Sequence, residues 1–155
     1  EIARVMSQIK VTKVSTITQL FSFLYNQCST VARLIIIDSL PSLFHLTTDS
    51  YKTMYSLNHL ANICHHLANE RRLTVITVNS VTQWREEEAG LLINNKNIQT
   101  IIKPLLGKWW KSVPNTRIYV EEEIVGGRRK LSFWKTHEKE VDGSIEIKIT
   151  NSGIS

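Results

Sequence analysis

Two runs of branched aliphatic residues, each closing on polar side chains, constrain this chain most: RLIIIDS at Arg33–Ser39 and LTVITVNS at Leu73–Ser80. Near-continuous Val/Ile/Leu runs of this length are the pattern of parallel strands covered on both faces. Leu34, Ile36, Val75 and Ile76 are therefore expected to be buried between helical layers. Open α/β sheets bind ligands outside the carboxyl ends of their strands. That makes the closing residues, Asp38–Ser39 and Asn79–Ser80, the first candidates for chemistry.

The rest of the pattern surrounds these strands with helices. Ile2, Val5, Met6 and Ile9 recur at helical spacing and predict a short first helix, and Val11–Val14 reads as a short strand. Ser15 or Thr16 caps a second helix whose stripe is Ile17, Leu20, Phe21, Leu24 and Cys28. A loop broken by Pro41 joins the first strand to the longest helix, about Tyr51–Asn69, with Met54, Leu57, Leu60, Ala61, Cys64 and Leu67 inward. A polar loop from Val81 to about Thr100 follows the second strand, and loops of that length are usually functional or disordered. Asn115–Glu122, Arg129–Lys135 and Ser144–Thr150 then alternate as short antiparallel strands, with Gly126-Gly127 turning the first hairpin. A βαβαβ order with an antiparallel tail implies one α/β domain. Its expected form is a three-layer, mostly parallel sheet with a C-terminal hairpin extension.

With 42% apolar and 21% charged residues, the composition excludes a disordered chain. The net charge of +5 permits nucleic-acid contact without requiring it. Cys28 and Cys64 fit no zinc or disulfide spacing and read as buried free thiols, which suits a reducing compartment. No run approaches the roughly 18 apolar residues of a membrane span, and no membrane partner is expected. There is no signal-peptide pattern, and the opening on Glu1 reads as that of a fragment whose start lies upstream.

Five stretches in order carry a resemblance: RLIIIDS, LANICHHLANERRLTVITVNSVT, KPLLGKWWKSVPNTRIYVEE, GRRKLSFWKT and IKITNSGI. The third is the most specific, a Gly-x-x-Trp helix leading into a Thr-Arg strand at Gly107, Trp110, Thr116 and Arg117. The chain resembles the C-terminal part of the ATPase core of RecA-type recombinases, and within them the eukaryotic recombinase paralogues of the D type. The resemblance covers nearly the whole chain and implies a three-layer RecA-like P-loop NTPase core. Residues 1–155 would form a partial domain lacking the P-loop portion, since GxxxxGK[ST] occurs nowhere in the sequence. It also implies homologous-recombination repair, a nuclear location, other recombinase paralogues and single-stranded or branched DNA as partners, and ATP with Mg²⁺ as cofactors. Without a phosphate-cradling loop, ATP and Mg²⁺ are not expected to be held by this chain alone.

The resemblance also assigns roles. Asp38, followed by Ser39, would order Mg²⁺ indirectly, through its water shell. Asn79-Ser80 falls where the family senses the γ-phosphate, commonly with glutamine, and Ser80 is too short to span the same gap. The loop from Gln83 to Lys103 matches the family's second DNA-binding loop. Its Arg85, Lys96 and Lys103 suit phosphates, whereas Glu86, Glu87 and Glu88 repel them, so a partner-binding or solvated loop stands beside the DNA reading. THEKEVDG at Thr136–Gly143 falls where the family covers a neighbour's ATP.

Other candidates come from the residues themselves. Arg128, Arg129 and Lys130 form a basic cluster that either touches DNA backbone or protects a sheet edge. Trp109 and Trp110 diverge by about 100° on a helix, so Trp110 is expected in the core and Trp109 at a surface or interface. Adjacent His65 and His66 lack the i, i+4 spacing of a helical zinc pair. Three functions fit these features: a recombination-mediator subunit, a DNA-dependent ATPase whose P-loop half is absent here, and a DNA-free scaffold.

Overall fold

In the computed structural model, the described residues are 2–27, 32–44, 50–86, 99–121, 127–136, 143–151 and 153–154. The chain divides into two compact units, Glu1–Gly107 and Lys108–Ser155.

The first unit holds α1 (Ile2–Ser7), α2 (Ile17–Gln27), β1 (Leu34–Ile37), α3 (Pro41–Phe44), α4 (Ser50–Glu70), β2 (Thr74–Thr77), β3 (Val81–Glu86) and β4 (Gln99–Pro104). α2 begins as its sequence dictates. The Gln19 N–H donates to Thr16 Oγ1 (3.2 Å), and the Ser15 N–H donates to Gln19 Oε1 (2.8 Å), a variant of the capping box. α4 packs on β2, and α2 packs on α4. Leu57, Leu60, Ala61, Ile63 and Leu67 of α4 are buried, as are Leu20 and Leu24 of α2. Met54, expected inward, lies on the exposed side of α4, and Cys64 is half-buried.

β1 and β2 pair in parallel with Leu34 opposite Thr74 and Ile37 opposite Thr77. Their residues alternate in burial. Ile35 and Ile37 are 7% and 6% exposed, while Leu34, Ile36 and Ile76 are 49%, 58% and 45% exposed. The expectation that Leu34, Ile36 and Ile76 lie between helical layers is corrected: helices cover one face of this pair and leave the other open.

The larger expectation is corrected with it. A three-layer, mostly parallel RecA-like sheet is not present among the described residues. The sheets are one parallel pair β1-β2, one antiparallel pair β3-β4, and a four-stranded antiparallel sheet β5-β6-β7-β8. Continuous apolar runs indicate strands but not how many neighbours each strand finds, and here each parallel strand finds one.

Three local expectations also change. Val11–Val14 forms no strand. The loop after β1 contains the helical turn α3, whose first residue is Pro41, where the missing N–H costs nothing. The polar loop after β2 is bounded by a ribbon, β3 against β4, from Val81 opposite Pro104 to Glu86 opposite Gln99. The α4–β2 connection places Arg72 in the left-handed region (φ 52°), and the Leu73 N–H donates to the Leu67 carbonyl (3.1 Å).

The second unit holds most of α5 (Gly107–Ser112), with β5 (Arg117–Val120), β6 (Arg128–Lys135), β7 (Ser144–Thr150) and β8 (Gly153–Ile154). The register shifts between Arg117, which pairs with Lys135, and Ile118, which pairs with Phe133, so that β6 carries the extra residue, Trp134, as a bulge against β5. Both cations of that pair satisfy carbonyls at and just beyond the end of α5. Arg117 Nη2 donates to the Lys111 carbonyl (2.7 Å) and the Trp110 carbonyl (3.3 Å), and Lys135 Nζ donates to the carbonyls of Ser112 (2.7 Å) and Pro114 (2.8 Å). Carbonyls at a helix end lack intrahelical donors, and cations there also suit the helix dipole; the Trp110 carbonyl accepts the Val113 N–H as well (3.2 Å).

The one-sided burial of β1 predicts an asymmetry within a single strand. Ile37→Ala should cost about 2–5 kcal/mol of unfolding free energy in urea, whereas Ile36→Ala should cost less than about 1 kcal/mol. Equal losses at the two positions would show that the outer face is covered after all.

Candidate functional site

The carboxyl ends of β1 and β2 are held together beyond the strands themselves. The Val78 N–H donates to the Ile37 carbonyl (2.9 Å), and the Leu40 N–H donates to the Val78 carbonyl (3.0 Å). This ladder brings the Asp38–Ser39 segment beside Asn79. The Asp38–Ser39 peptide is cis. The Asp38 side chain is exposed, and the Ser39 carbonyl accepts from Ser42 Oγ (2.7 Å). Asn79 Oδ1 is buried and has no hydrogen-bond donor among the described residues. Ser80 is exposed, and its carbonyl accepts the Leu105 N–H (2.9 Å), which anchors the base of the β3-β4 ribbon.

Asn79 Oδ1 is closed off from solvent, which leaves the exposed Asp38 carboxylate as the accessible hard oxygen; it suits the water shell of a divalent cation. It does not suit phosphate, which needs backbone N–H groups or cations around it. The residues present therefore fit an outer-sphere role toward Mg²⁺ and do not fit the phosphates of ATP. No cluster of three or more His, Cys, Asp or Glu able to hold a metal ion occurs among the described residues.

The other candidates fall elsewhere in the fold. Arg85 lies on β3 opposite Thr100, and Lys103 lies on β4 opposite Thr82. Lys96, Glu87, Glu88 and residues 137–142 of the THEKEVDG segment lie outside the described residues, as does Cys28. The cluster Arg128, Arg129 and Lys130 is divided by the strand period: Arg128 and Lys130 share one face of β6, while Arg129 opposes Ile147 on the other. Lys130 Nζ sits 3.9 Å from Glu121 Oε1. Trp110 is 2% exposed and Trp109 half-buried, with ring centroids 6.2 Å apart. His65 and His66 lie on α4, half-buried and exposed respectively.

Sequence reasoning missed two constellations. Tyr25 on α2 and His59 on α4 are hydrogen-bonded, 2.7 Å from Oη to Nε2, and Phe21 packs edge-on against the same imidazole with centroids 4.7 Å apart. Tyr119 and Trp134 stack with centroids 4.4 Å apart. Both join residues remote in sequence through pairing that no periodicity encodes, although alternation along β5 and β6 could have put Tyr119 and Trp134 on one face.

A scan against protein-family models and a search of curated proteins return no match.

Cys64 is the one thiol among the described residues, and burial pushes its pKa up to about 11. The thiolate is the reactive form. In a Cys28→Ser background, alkylation of Cys64 should be slow at pH 8 and accelerate as pH rises toward 11. Because the folded pKa lies above the unfolded one, this group's contribution to stability is complete below pH 9 and is lost as pH rises through 11. Alkylation at pH 8 as fast as that of an unfolded control would contradict this environment.

Proposed function

We propose that this chain is a recombination-mediator subunit in homologous-recombination DNA repair, acting in the nucleus by binding other recombinase paralogues and DNA. The observation that supports the reading most is the parallel pair β1-β2, whose carboxyl ends hold the Asp38–Ser39 backbone beside Asn79. The reading uses these two strands and the motif order, and makes no claim for a larger parallel sheet. The open apolar face of β1-β2, with Leu34, Ile36 and Ile76, supports association with other proteins. The excess of cations supports DNA contact.

On this reading, nucleotide turnover is not the chain's own work. Asp38 would orient a hydrated Mg²⁺ where another group holds the phosphates. Mg²⁺ there would neutralise phosphate charge. A fluorescent ATP analogue titrated with Mg²⁺ onto the chain should show no saturable micromolar binding. Such binding, abolished by Asp38→Ala, would overturn the nucleotide part of the reading.

The partner part has its own test. Co-expression with recombinase paralogues should yield a soluble complex, weakened about tenfold or more by Trp109→Ala if that ring anchors the contact. A monodisperse monomer by light scattering, with no paralogue retained, would overturn it.

A further inference from the structure

The second unit's sheet separates its chemistry by face. Ile118, Val120, Leu131, Phe133, Ile145 and Ile149 share one side through the registers of β5, β6 and β7. The opposite side carries Tyr119, Arg128, Lys130, Trp134 and Lys148. Tyr119 and Trp134 stack on each other, and Trp134 is 38% exposed. Six residues along β6, about 20 Å, separate Trp134 from Arg128.

The charges on that side are unevenly matched. Glu121 approaches Lys130 Nζ at 3.9 Å and accepts from Ser132 Oγ at 3.2 Å, and Glu146 is the register partner of Lys130. Glu121 is therefore paired with Lys130, and Glu146 stands opposite it. Arg128 and Lys148, directly opposite each other and exposed, have no acidic partner among the described residues. Like charges at opposed positions of an antiparallel pair destabilise it, and an anion between them removes that cost.

We propose that this face is a docking surface for single-stranded DNA, with Arg128 and Lys148 taking backbone phosphates and the Tyr119/Trp134 stack receiving a base. The inference rests on the DNA-binding reading above and gives it a location other than the β3-β4 ribbon. A sheet face with a pre-stacked aromatic pair at one end and exposed cations without an acidic partner among the described residues at the other suits unpaired bases and an extended backbone. Duplex DNA buries its base faces and offers the ring pair nothing to stack on.

The test is fluorescence anisotropy with the full chain, a labelled thymidine oligomer of about 20 nucleotides and a duplex of equal length. The single strand should bind at least about tenfold more tightly than the duplex. The double variant R128Q/K148Q should weaken binding about tenfold and flatten the plot of log affinity against log salt by about 1.4. Trp134→Leu should weaken binding about fivefold or more, and Trp134→Phe should restore most of the loss, which separates stacking from fold damage. Circular dichroism melts identify any variant that has unfolded, and R128Q/K148Q, altering exposed side chains only, carries the test if Trp134→Leu does so. Wild-type affinity in R128Q/K148Q, or equal binding of duplex and single strand, overturns the proposal. If R85Q/K103Q abolishes binding while R128Q/K148Q does not, the location is wrong and the DNA-binding reading stands. If the wild-type chain binds neither oligomer, both fall.

Discussion

The hydrogen-bond ladder between β1 and β2 is the constraint on which the first unit depends. It does not end with the strands. The Val78 and Leu40 amides continue it through Ile37 and Val78, so the backbone at Asp38 and Ser39 is held by the same interactions that pair the sheet. Any role for Asp38 or Asn79 follows from that continuation. A flexible strand end would let the two residues drift apart, whereas a bonded one fixes the spacing of their backbones before any ligand arrives. Asn79 Oδ1 is buried with no donor among the described residues, and an unsatisfied buried acceptor costs on the order of 1–3 kcal/mol.

One-sided cover is the second consequence. α4 against β2, with α2 against α4, buries Ile35 and Ile37 and leaves Leu34, Ile36 and Ile76 half exposed. The composition of the strands is that of a sheet covered twice, while the packing covers it once. The same imbalance recurs in the second unit, where Ile118, Val120, Ile145 and Ile149 are each about half exposed on one face of β5-β7. Apolar strand faces of this kind are surfaces through which proteins associate. In the second unit, the register shift at the start of β5 sets Arg117 opposite Lys135, and both donate to carbonyls at the end of α5. Partial burial lowers the pKa of the Arg117 guanidinium, which nonetheless remains charged.

The sequence by itself determined the local elements. Helical spacing located α2 and α4, branched runs located β1 and β2, and alternation located β5, β6 and β7, because these signals depend on side-chain period alone. It also marked Asp38 and Asn79 as strand-ending residues. The apolar Leu34–Ile37 run, however, reads the same whether a strand has one neighbour or two, and one covered face or two. Only the tertiary structure decided that number, and with it the failure of the three-layer expectation. The division of Arg128, Arg129 and Lys130 between two faces, the meeting of Tyr25 with His59 and the stacking of Tyr119 on Trp134 were decided in the same way. Each depends on register or on the approach of segments distant in the chain, and those are set by the summed packing of the whole unit rather than by any short stretch of it.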